Sequence, residues 1–129
     1  SDASRAAERG CNLVIHEFAH KLDLRDGTCD GCPPLPAGFA GQGTARQART
    51  HWQTVLARGY QQFRERVICA ERFGAAPTWL DPYGASTPGE FFAVACEAYF
   101  MQPGRLATEW PEIHDLLQAF FRPGMPDFG

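Results

Sequence analysis

This sequence predicts a mainly α single domain, and three observations carry that prediction. Apolar residues recur at helical spacing in four separate segments. Gly/Pro-rich stretches separate those segments, and no run alternates apolar with polar residues as a half-buried strand would. The 129 residues suit one domain, able to bury roughly two-thirds of its unfolded surface. With 44% hydrophobic and 21% charged residues, the composition is that of a globular protein and excludes a disordered one. No apolar run approaches the roughly 18 residues that span a bilayer.

The first helix is expected from about Ala6 to Asp23, with Leu13, Val14, Phe18 and Leu22 as its apolar positions. It ends at "RDGTCDGCPPLP", a Gly/Pro/Asp-rich stretch that reads as loop. The second runs from about Thr44 to Phe73. There Trp52, Val55, Leu56, Phe63 and Val67 mark one face as core. After the loop "GAAPTWLDPYGAS", Thr87, Pro88 and Glu90 have capping-box spacing with proline at the first helical position. The third helix then carries "EFFAVACEAYFM", whose aromatic stripe of Phe91, Phe92, Tyr99 and Phe100 is expected in the core. A fourth, short helix follows Pro111 with Ile113, Leu116, Leu117 and Phe120, and the tail "RPGMPDFG" reads as irregular.

The net charge of −3 gives no pull toward nucleic acid or an anionic membrane surface. Five cysteines, an odd number, argue against a closed disulfide framework and for a reducing, cytoplasmic setting. The opening "SDASRAAERG" has no initiator methionine and no signal-peptide pattern. Residues 1–129 are therefore expected to be one domain, truncated at its N-terminus.

The chemistry concentrates in "NLVIHEFAHKLD", residues 12 to 23. On a helix His16 and His20 stand one above the other on a single face, with Glu17 turned aside. H-E-x-x-H in that setting is the pattern of a zinc hydrolase. Two neutral imidazoles suit the ion, a fourth position stays open for water, and the glutamate serves as base. A third ligand is required. Asp26 lies six residues after His20, yet the glycine that would turn the chain back at position 23 is an aspartate. Glu90 and Glu97 lie seven apart on one face of the third helix, and spacing alone does not rank them.

Taken together, "NLVIHEFAHKLD" and "DPYGASTPGEFFAVACEAYF" resemble the Mlc titration factor A family of bacterial zinc peptidases. The tyrosine followed by Glu-Phe-Phe is also similar to the protease domain of anthrax lethal factor. The likeness runs from Asn12 to about Pro103. It implies a zincin-like (gluzincin) helical catalytic domain fragment, its HExxH helix packed against the helix that carries the third ligand. One Zn2+ would be held by His16, His20 and Glu90. Glu17 would be the general base, and Tyr83, seven residues before Glu90, would donate to the developing oxyanion. The implied activity is peptidase (aminopeptidase) hydrolysis of small peptides, and the implied partner is the glucose-regulated repressor Mlc. Family members also carry a larger N-terminal portion.

Other residues receive plainer readings. Cys29 and Cys32 form a C-x-x-C without the second pair that a structural zinc needs, and read as two loop thiols. Asp23 is expected to orient a ligand histidine. His51 and His114 are expected to be exposed or locally bonded. The arginines between Arg46 and Arg72 read as a solvated helix face. Two function classes follow: a zinc peptidase, or a regulatory module that binds a repressor of the Mlc type while retaining the metal site.

Overall fold

Thr44 opens the longest helix with a full capping box. Its hydroxyl accepts the Gln47 N–H, and the Gln47 side chain accepts the Thr44 N–H, both at 3.1 Å. The computed structural model describes the backbone of residues 2–35 and 38–122, with the side chains of 9–25, 27–35 and 38–122. The helices are α1 (Asp2–Asp23), α2 (Ala45–Phe73), α3 (Pro88–Met101), α4 (Pro103–Glu109) and α5 (Pro111–Phe121). Short 3-10 turns cover Leu24–Asp26, Phe39–Gly41 and Pro82–Ala85, and no strand occurs among the described residues.

The core lies where α2, α3 and α5 meet. Trp52, Leu56, Phe63 and Val67 of α2 are buried, as their spacing predicts, Val55 is half-buried, and Ala48 is buried beside them. The Trp52 ring meets Phe39 at 5.7 Å, Phe92 at 5.8 Å and Phe120 at 5.6 Å between centroids. Phe63 packs on Phe91 at 5.6 Å, and Trp110 closes that end against both rings. Gly59 admits this packing, because a Cβ there would stand 2.8 Å from Ile113 Cδ1.

Three expectations change. The fourth predicted helix is the fifth: α4 precedes it, with Pro103 at its first position and Leu106 buried beneath it. A proline that reads as a breaker here starts a new helix, where its missing N–H costs nothing. Phe100 is exposed, while Phe91, Phe92 and Tyr99 are buried. On α1 the larger apolar residues face outward, with Leu13 60%, Val14 68% and Phe18 54% exposed. The reason is that, among the described helices and 3-10 turns, α1 packs only on α3 and on the turn that follows it. The tail beyond 122 lies outside the described residues.

The predicted arginine face of α2 is partly engaged. Arg58 pairs with Glu112 at 2.6 Å, Arg49 with Asp30 at 3.1 Å, and Arg66 lies over the Trp110 ring at 4.5 Å. His51 is exposed, and His114 Nδ1 lies 3.1 Å from Asp115.

Candidate metal centre

Helix α1 delivers His16 and His20 to the side that faces α3, and the first turn of α3 delivers Glu90. Thr87 caps that turn by accepting the Glu90 N–H at 3.1 Å. The Glu90 carboxylate does not return to the cap. One of its oxygens lies 2.9 Å from His16 Nε2 and the other 2.9 Å from His20 Nε2. The two Nε2 atoms are 3.1 Å apart. These three residues form the one His/Cys/Asp/Glu group among the described residues compact enough to hold a metal ion.

The donor set fits a divalent ion. Ligands at about 2.0–2.1 Å in a tetrahedral shell stand roughly 3.3 Å from one another. The three donors need only open by a few tenths of an ångström. Two imidazole nitrogens with a carboxylate oxygen suit a borderline-soft cation. Three half-buried electron-pair donors facing one point also repel one another until a cation or proton lies between them.

Glu97, two turns along α3, stands behind the triad, where its Oε1 meets His16 Nδ1 in a close hydrogen bond. Burial raises its carboxyl above the ordinary range, and the bond to His16 works in the opposite direction. The spacing that left Glu90 and Glu97 unranked therefore places both at His16, on opposite ring nitrogens.

The remaining sequence candidates sit further out. Glu17 is exposed, one position from His16 and off the axis that the histidines share. Tyr83 lies in the Pro82–Ala85 turn with 58% of its surface exposed. Among the described contacts neither side chain touches the triad. The side chain of Asp26 lies outside the described residues.

Asp23 does not meet a histidine directly. It is 0% exposed. Its Oδ2 accepts the Gly31 N–H at 2.7 Å, its carboxylate lies beside the Cys29 thiol, and Oδ1 is buried without a partner. Burial raises its carboxyl above the ordinary value. The C-x-x-C pair also divides. Cys32 is buried, while Cys29 is exposed with Sγ 3.5 Å from His20 Nδ1. Partial burial, then the Asp23 charge, push the Cys29 thiol up to about 11. Sequence reasoning missed Cys29 at the site, because no spacing rule relates it to His20.

Helices that bring two histidines and a glutamate to one point define a candidate metal-binding domain with the HExxH pattern. The chain belongs to the glucose-regulated metallo-peptidase M90 family, whose model matches residues 1–122. It is similar to an uncharacterized protein of Synechocystis, 34% identical over 87% of this chain and 36% of that protein. It is also similar to the Mlc titration factor A proteins of Edwardsiella ictaluri and Serratia proteamaculans, at 33% and 31% identity. Each of those likenesses covers 88% of this chain and 39% of the relative. The chain thus spans somewhat over a third of the length of these relatives. No solved structure matches it. No helix among the described residues is long and apolar enough to cross a membrane.

Proposed function

We propose that the chain is the metal-bearing part of a zinc-dependent peptidase, with His16, His20 and Glu90 as ligands. The observation that carries this reading is the convergence of both Nε2 atoms and both Glu90 oxygens within 3.1 Å of one another's partners. Zinc held by His16, His20 and Glu90 would supply Lewis acidity toward a carbonyl oxygen and make a nearby water more acidic. The chain's own groups do the rest. Glu97 holds the His16 ring by its Nδ1, leaving Nε2 free to point inward. Glu17, beside His16 and open to solvent, takes the proton of the attacking water and delivers it to the leaving amine. Tyr83, on the loop that leads into Glu90, donates its O–H to the oxyanion, where charge appears only in the transition state. The substrates are small peptides, and the setting is cytoplasmic.

The experiment is Glu17→Gln. Zinc should remain bound while hydrolysis of a peptide panel falls by about 10²–10⁴-fold. Loss of the zinc with His16 and His20 intact would contradict the assignment of Glu17 as a base.

A second reading has its own observations. The name Mlc titration factor A attaches its relatives to Mlc, and Leu13, Val14 and Phe18 offer an uncovered apolar face. On that reading the chain is a regulatory module that binds the repressor Mlc and keeps the metal site with little catalysis. Turnover that disappears with Glu17→Gln favours the peptidase. Mlc binding without turnover favours the module.

A further inference from the structure

We propose that Cys29 is a positioning residue for His20, relaying Asp23 to the imidazole and fixing which ring nitrogen faces the metal. The proposal rests on the metal-site reading above. His16 receives a carboxylate at Nδ1 directly, from Glu97. His20 receives none. What stands at its Nδ1 is the Cys29 sulfur, at 3.5 Å. That places the sulfur behind the ring, on the side away from the Nε2 that faces Glu90 and His16. Cys29 is therefore no ligand in this arrangement. It occupies the place where metal-binding histidines ordinarily find a carboxylate or carbonyl.

The hydrogen-bond inventory sets the direction of the relay. Cys29 Sγ and Asp23 Oδ2 flank the same point over Gly89, and an ionised carboxylate only accepts, so the thiol turns its single proton toward Asp23. Its sulfur lone pair is then left to accept the Nδ1–H of His20. That tautomer puts the lone pair on Nε2, as metal binding requires.

The thiol is held there from three sides. Asp23 at the end of α1 grips the Gly31 N–H at 2.7 Å, and Trp52 of α2 donates to the Gly31 carbonyl at 2.6 Å. Gly31 has φ +85°, a conformation that L side chains rarely adopt, and a Cβ there would meet Leu56 Cδ2 at 2.5 Å. On α3, next to Glu90, a Cβ on Gly89 would stand 2.8 Å from the Cys29 carbonyl oxygen and 3.0 Å from its sulfur. The same loop therefore fixes Cys29 against the turn that supplies the third ligand.

The test compares the parent chain with Cys29→Ala and Cys29→Ser. The ring-nitrogen NMR shifts of the metal-free chain report the His20 tautomer, and competition with a chelator reports zinc affinity. Glu90, 2.9 Å from Nε2, draws a proton to that side in the metal-free chain, so the relay is read as a larger Nδ1–H share of His20 in the parent than in Cys29→Ala. Cys29→Ala should move the proton population toward Nε2 and weaken zinc binding about 10–100-fold. Cys29→Ser keeps a donor and acceptor at that place and should stay within a few-fold of the parent with the parent tautomer. A Cys29→Ala chain with the parent tautomer and affinity would overturn the proposal, as would Cys29→Ser failing as badly as Cys29→Ala. A sulfur-to-metal charge-transfer band in the cobalt-substituted parent would overturn it too, by making Cys29 a ligand. If the parent binds no zinc, the metal-site reading fails, and the His20 tautomer in the three chains still decides the relay.

Discussion

The two long helices are seated by different physics. Helix α2 buries Ala48, Trp52, Leu56, Gly59, Phe63 and Val67 and contacts α3, α5 and two of the 3-10 turns. Helix α1 rests on α3 with a face of polar groups. His16 and His20 are half-buried, Asp23 is fully buried, and Ala19 is its one fully buried apolar side chain among those described. Leu13, Val14 and Phe18 point away, while Ile15 packs half-buried against the core. Apolar area places α2, whereas α1, with only Ala19 and Ile15 against the core, relies more on hydrogen bonds and on the meeting of its histidines with Glu90.

Removing the centre of the α2 contact should have the largest effect on stability. Trp52→Ala deletes the ring that meets Phe39, Phe92 and Phe120, and also the indole N–H that fixes Gly31. A loss of about 3–5 kcal/mol is expected from denaturant unfolding. Because Gly31 holds Asp23, the same change should loosen the loop beside His20. The outward face of α1 is the opposite case. Leu13→Gln on this chain should alter stability by no more than about 0.5 kcal/mol, since the side chain is 60% exposed and both residues suit a helix. A large loss there would break the comparison, because it would mean that α1 is held by apolar contact after all.

How much of this was legible in the sequence follows from the same contrast. The α2 face could be read because Trp52, Leu56, Phe63 and Val67 recur at three- and four-residue steps, and burial follows such periodicity when a partner surface exists. Leu13, Val14 and Phe18 show the limit of that rule: a pattern gives a face, and only the tertiary structure gives what covers it. Helix α4 escaped because seven residues with a single buried leucine leave no period to detect. At the site, His16 and His20 were legible through their i, i+4 spacing. Glu90 and Glu97 could not be ranked, since seven residues return a helix to the same face and both do reach His16. Cys29 was illegible for a different reason. It reaches His20 through a loop folded by Gly31 and Trp52, and no local spacing encodes that path.

On the proposed reading Glu90 completes the metal site and Glu97 only supports it. Titrating the zinc-loaded chain with a competing chelator tests this most directly, comparing the parent with Glu90→Ala and Glu97→Ala. Glu90→Ala removes both oxygens that face the Nε2 atoms and should lose zinc severely. Glu97→Ala removes only the partner of His16 Nδ1 and should weaken binding by roughly 10–100-fold. A Glu90→Ala chain that holds zinc as tightly as the parent would contradict the account.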